Sequence, residues 1–321
     1  MTSSKQRRDI CYYITGHGLG HAMRSIELIR ALLSSDRFNV HVVTNIPELV
    51  FKSQLFTSAV RVGEDECVFL VEVDPTTKER RYTHSVRNLD SGAVQQDIFT
   101  VDMYRTLDDY YRTIHLNREV LIQVEVEWLL TSSIDLILID ATPLAGAVSQ
   151  LSGIRSVLVS NFSWDFCYYE MLQDLKRSST TAADMMNLSK YSDMITQCIA
   201  DCSHISAYLQ LPGETPTVTV HLSSAADMDP TYTIDVHQQM NRIIPGPLIA
   251  RPVRNSNLRA ELPIPDHSAK ILLLGFGGFS IDFPLQDSFL PVGWVCLVLG
   301  ERSCLTSIHP YHCIMPVYLL Y

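Results

Sequence analysis

The stretch ICYYITGHGLGHAMRSIELIRALL, Ile10 to Leu33, decides the fold. Ile10–Ile14 is a short apolar run of the kind that forms a strand buried on both faces, and Gly16–Gly20 is a glycine-rich turn. From Ala22 to Leu33 the residues Ala22, Ile26, Ile29 and Leu33 recur at helical spacing and make one apolar face. Strand, tight turn and helix in direct succession open a βαβ unit, and Asn39–Thr44 supplies its second strand.

Working outward, the alternation continues. Cys67–Val73 reads as a strand, the polar segment Asp74–Gln96 as a mobile or functional loop, and Asp97–Leu130 as one long helix or two. Leu136–Ile139 is a strand ending at Asp140, Pro143–Leu151 a short helix, and Ser156–Ser160 a strand ending at Asn161. Glu125 and Glu127, two apart on a helix, point to different sides, which argues against a catalytic carboxylate pair and for solvated side chains. The fold class is α/β with a parallel sheet. Between Glu214 and Asp266 the periodicity is lost and prolines gather, and a new strand, Lys270–Leu274, is followed by the glycines 275, 277 and 278 and by a strand at Trp294–Leu299. The expected organisation is a tail over 1–9, a first domain over 10–213, an irregular linker over 214–268 and the start of a second α/β domain over 269–321.

The 321 residues are 46% hydrophobic and 19% charged, with a formal net charge of −10, which excludes disorder and gives no basic surface for nucleic acid or anionic lipid. Small-molecule ligands fit that balance better than polyanions. No apolar run reaches the roughly 18 residues of a membrane helix, no signal core follows Met1, and the eight cysteines are scattered as reduced thiols would be. A cytoplasmic location is expected. Cys198, Cys202 and His204 lack the second ligand pair of a zinc site, so no metal is expected.

In parallel sheets ligands lie outside the carboxyl ends of the strands, so Gly16–His21, Asp140–Thr142 and Asn161–Asp165 are expected to converge. Glycines at 16, 18 and 20 allow a ligand close approach, and a helix start offers free amides. The turn is not the dinucleotide fingerprint, because His21 stands where its last glycine would be. His21 is the candidate general base and His17 a second one, with a capping or core histidine as the equal alternative for each. Arg24, a cation in the first helical turn, calls for an anionic partner, either Asp140 or a bound anion. Asn161, Ser163, Trp164 and Asp165 combine polar groups with aromatic faces as sugar sites do, with a Ser163 helix cap and simple aromatic packing as the alternative. Ser223–Ala226 reads SSAA, but His221 and Leu222 replace the glycines that would cradle a phosphate, so it is a decoy.

The runs YYITGHGLGHAMRSIELIRALL (Tyr12–Leu33), HVVTN (His41–Asn45), LDSGAVQQD (Leu89–Asp97), EVEWL (Glu125–Leu129) and IRSVLVSNFSWDF (Ile154–Phe166) closely resemble the N-terminal region of plant-type L-arabinokinase. LPG (Leu211–Gly213), ILLLGFGG (Ile271–Gly278) and LPVGWVCLVLG (Leu290–Gly300) are similar in the same order. The resemblance implies a glycosyltransferase-like, GT-B architecture of two Rossmann-like domains, with Gly16, Gly18, Gly20 and His21 in the first-domain loop facing the cleft. It implies a truncated second domain and no GHMP kinase domain, and therefore no arabinose phosphorylation. A sugar or nucleotide sugar is the expected ligand, with His21 as base and Asp140 and Asp165 as polar positioners, with no cofactor, nucleic acid or membrane. The alternatives are a non-catalytic sugar-binding or regulatory module, or a fragment of a longer L-arabinokinase-like enzyme.

Overall fold

A computed structural model describes residues 7–56, 60–62, 66–68, 72, 80–97, 99–213, 243–250, 268–275, 290–299 and 312–315. Contacts divide the chain into two units, the first Met1–Val94 with Val101–Arg251, the second Gln95–Thr100 with Pro252–Tyr321.

The first unit opens with β1 (Arg8–Ile14), α1 (Leu19–Ser34), β2 (Phe38–Thr44) and α2 (Glu48–Leu55), followed by the short antiparallel pair β3 (Val60–Val62) and β4 (Glu66–Val68) and by β5 (Tyr82–Val86). Next come α3 (Met103–Thr113), a 3-10 turn at His115–Asn117, α4 (Arg118–Thr131), β6 (Leu136–Asp140), α5 (Leu144–Ser152) and β7 (Ser156–Ser160). The helices α6 (Trp164–Ser178) and α7 (Ala182–Ser203) then lead to β8 (Ala207–Gln210) and β9 (Ile243–Pro245). The main sheet has seven strands in the order β5-β2-β1-β6-β7-β8-β9, and every neighbouring pair is parallel. This is the α/β, Rossmann-like parallel sheet that the alternation of strand and helix predicts.

The continuous apolar composition of β1 has a direct structural cause. Cys11 and Tyr13 enter one core with residues of α3 to α7, while Ile10, Tyr12 and Ile14 enter the other with Ala22, Ile26, Ile29 and Leu33 of α1 and Phe51 and Leu55 of α2. Both faces are buried, so neither set of alternating side chains can be polar; each fully buried residue of this size contributes about 2 kcal/mol.

Two expectations are corrected here, and a third, the strand Cys67–Val73, falls largely outside the described residues. The polar segment 74–96 contains β5, which pairs with β2 from Val40↔Tyr82 to Thr44↔Val86; it is an edge strand, and only Tyr82 within it is fully buried, so its composition stays polar. Glu125 is not solvated but 2% exposed, on the face of α4 that packs against the sheet, where its Oε2 accepts from Tyr13 OH at 2.8 Å and its Oε1 lies 3.1 Å from Arg87 Nη1. Of Cys67–Val73, only 67, 68 and 72 are described, and the strand there is Glu66–Val68. The long helical segment resolves into α3 and α4, the first capped by Asp102, whose side chain accepts from the Arg105 amide at 2.9 Å.

Within 214–268 the described residues are 243–250 and 268, and Ile243–Pro245 extends the sheet beside β8. The second unit holds β10 (Lys270–Gly275), β11 (Trp294–Leu299) and β12 (His312–Met315), a parallel sheet in that order. Gly277, Gly278 and Ser223–Ala226 lie outside the described residues.

Candidate functional site

In the seven-stranded sheet β1 lies between β2 and β6, so the chain order reverses there, and the segments leaving β1 and β6 diverge to opposite faces. The register Ile14↔Asp140 sets the carboxyl ends of these two strands side by side, and the Thr15 amide donates to the Asp140 carbonyl at 3.1 Å. Ala141, next in the chain, has a φ of 55°, in the left-handed region that alanine rarely occupies. Gly18, with φ 81°, closes the β1 turn and precedes the first residue of α1, and no atom lies within 4 Å of where its Cβ would be.

The first two turns of α1 deliver His21, Arg24 and Ser25 to Asp140, whose side chain is 0% exposed. Arg24 Nη2 donates to Asp140 Oδ1 at 2.6 Å, and His21 Nδ1 lies 3.0 Å from the same oxygen. Ser160 Oγ at 3.1 Å and Ser25 Oγ at 3.3 Å donate to the two carboxylate oxygens. Arg24 Nη1 also donates to Asn161 Oδ1 at 2.7 Å. A carboxylate 3.0 Å from Nδ1 places the ring proton on that nitrogen and leaves Nε2 as the acceptor. The 3.1 Å approach of Arg24 Nη2 to Nδ1 is then a contact between two donors held by one oxygen. Arg24 thus takes Asp140 as its anionic partner, although α1 begins at Leu19 and places Arg24 in the second turn rather than the first, so the pairing and not the helix end accounts for it.

His17 lies beside this group. Its Nδ1 accepts from the Ala93 amide at 3.3 Å, its ring meets Trp164 edge-on at 5.4 Å, and Gly92 abuts it so closely that a Cβ would fall 2.5 Å from the His17 side chain. Burial, and secondly the charge of His21, push the His17 pKa below the usual histidine value. His21 meets the Phe162 ring edge-on at 5.3 Å, and Trp164 stacks on Tyr168.

The structure brings together Gly16, His17, His21, Arg24, Asp140 and Asn161. Ser163 and Asp165 are, like Asp140, more deeply buried than the rest of this group. Ser163 is 1% exposed with its Oγ 3.5 Å from Cys202 Sγ, and Asp165 is wholly buried; burial, and secondly the charge of Asp165, push the Cys167 thiol pKa up. Among the described residues no group of three or more His, Cys, Asp or Glu could hold a metal ion, and no helix is long and apolar enough to cross a membrane.

Asp90, within the run Leu89–Asp97, belongs to the same edge, although it is not among the site residues that the sequence singles out. It is 4% exposed, Thr142 Oγ1 donates to its Oδ2 at 3.3 Å, and burial pushes its pKa up to about 6 against the opposing hydrogen bonds of Thr15 and Thr142.

No family model matches the chain. The resemblance read from the motifs holds along the sequence: the chain is 32% identical to L-arabinokinase of Arabidopsis thaliana over 307 residues, which cover 95% of this chain. It spans 24% of the length of that relative. Solved structures with similarity include the glycotransferase of kitacinnamycin, at 13% identity and TM-score 0.49 over 97% of this chain and 71% of that one. Another is Phytolacca americana UGT2 complexed with UDP-2fluoro-glucose and pterostilbene, at 12% identity and TM-score 0.49 over 98% of this chain and 72% of that one.

Proposed function

We propose that this chain binds a sugar or nucleotide sugar at the carboxyl edge of its seven-stranded sheet, and that His21 is the general base of the site. The observation that carries the reading is the 3.0 Å contact of His21 Nδ1 with a buried carboxylate, which fixes the tautomer and orientation of the imidazole. Nε2 has no hydrogen-bond partner among the described residues and can accept the proton of a ligand hydroxyl. As that oxygen bonds to the anomeric carbon of a donor sugar, the bond from that carbon to the leaving diphosphate breaks, and Asp140 stabilises the imidazolium. Phe162 and Trp164 supply apolar ring faces beside it. The similarity to L-arabinokinase, whose name is that of a sugar-acting enzyme, supports the sugar as ligand class. The scattered cysteines support a cytoplasmic setting.

The test is titration calorimetry with L-arabinose and with UDP-glucose, on the wild type and on His21→Ala. Binding that weakens at least tenfold in the variant is expected, and equal affinity in the two proteins removes His21 from the site. A second reading, a binding module without turnover, is favoured by the way Arg24, Ser25 and Ser160 also occupy Asp140. Under it the wild type binds ligand yet releases no UDP from UDP-glucose in the presence of L-arabinose.

A further inference from the structure

Beside the His21 group, a polar cavity of about 10 Å³ lies under the β1 turn, at the carboxyl ends of β1, β2 and β5. That is room for a single oxygen-bearing group. Gly16 and Thr142 line it together with Asn45 and Asn88, which are exposed, and with Arg87 and Asp90. The Gly16 position is needed for this shape, since a Cβ there would fall 1.3 Å from Asn45 Oδ1.

Arg87 carries unsatisfied donors on its guanidinium. Nη1 lies 3.1 Å from Glu125 Oε1 and the guanidinium carbon sits 4.1 Å from the centre of the Trp128 ring, while Nε and Nη2 are buried with no hydrogen-bond partner among the described residues. Two buried, unsatisfied donors are costly, and an acceptor brought to them would relieve that cost. The acceptor is not an anion. Arg87 is already neutralised by Glu125, and Asp90 adds a carboxylate to the same lining, so a phosphate or carboxylate would meet a net negative wall. A hydroxyl accepts from a guanidinium and donates to a carboxylate at once, which suits the pair Arg87 and Asp90.

We infer that this cavity is a hydroxyl subsite, in which Arg87 donates to and Asp90 accepts from one hydroxyl of the sugar held at the His21 site. The inference rests on the sugar-binding reading and names two residues that set which sugar is accepted. A site shaped to hydrogen-bond one hydroxyl discriminates against the ligand that lacks it, because its own polar groups are then left unpaired.

The experiment uses the whole chain, with L-arabinose, UDP-glucose and the monodeoxy analogues of each as titrants. The wild type is expected to lose roughly tenfold to a hundredfold in affinity at one deoxy position, the loss of a charged-group hydrogen bond. Arg87→Lys keeps a cation for Glu125 but lacks the fork, and Asp90→Asn keeps the shape without the charge. Each is expected to bind the parent sugar more weakly and to lose discrimination at that one position only. Near-ultraviolet circular dichroism checks that both are folded, and if Arg87→Lys is not, Asp90→Asn decides. Unchanged discrimination in a folded variant overturns the subsite, as does a wild type that binds the parent sugar and every deoxy analogue alike. A cavity occupied by water alone gives that last result. Failure of the wild type to bind either parent sugar instead removes the sugar-binding reading, and the subsite with it.

Discussion

Arg24 Nη2 and Asp140 Oδ1 are 2.6 Å apart, and the Asp140 side chain is wholly buried. Removing one partner of a buried pair leaves the other without its counter-charge, which costs more than the pair itself contributes. Asp140→Asn is therefore expected to lower the unfolding free energy by about 3 kcal/mol, read as a shift of the urea midpoint at pH 7. A loss below about 1 kcal/mol would mean that water reaches Arg24 and that the pair behaves as a surface contact.

Asp90 gives the chain an unusual pH dependence. Its folded pKa is about 6 against an ordinary 3.8, so between those values the folded state binds the proton more tightly than the unfolded chain. The stabilising contribution of the neutral form is fully present below pH 3.8 and is lost as pH rises through 6, a span of about 3 kcal/mol at most. Asp90→Asn is expected to flatten that part of the profile and to be the more stable protein at pH 7. Parallel stability profiles of the two proteins between pH 4 and pH 7 would show the raised pKa to be wrong.

The helices α5 and α7 meet at a glycine. A Cβ on Gly146 would fall 2.0 Å from the backbone oxygen of Asp201, an atom that cannot swing aside as a side-chain tip can. Overpacking of this kind costs up to about 3 kcal/mol, and the better helix propensity of alanine returns about 1, so Gly146→Ala is expected to lose about 2 kcal/mol. A thermal melt reads the loss, and an unchanged or higher midpoint would show that α7 can move away freely.

The fold was legible wherever burial is two-sided. Ile10–Ile14 of β1 is a uniform apolar run because neither face of it there meets water, and α1 shows its buried stripe at helical spacing. β5 was not legible, since an edge strand with half-buried side chains leaves the same mixed composition as a loop. At the site, His21, Arg24, Asp140 and Asn161 could be named because strand ends in a parallel sheet share one edge. Glu125 and Asp90 could not, because what makes them special are partners far away in sequence, Tyr13 at a separation of 112 and Thr142 at 52.

The pairing of Ile14 with Asp140 has a bearing on how the chain finds its fold. A slip of β6 by one residue along β1 would exchange every inward and outward side chain of the strand, and β6 is apolar enough for hydrophobic burial alone to tolerate that. It would also place Ile139 or Ala141 opposite Arg24 and drive the carboxylate into an apolar core. The charge cluster thus acts as an alignment key, penalising the misregistered sheets that a uniformly greasy strand would otherwise accept.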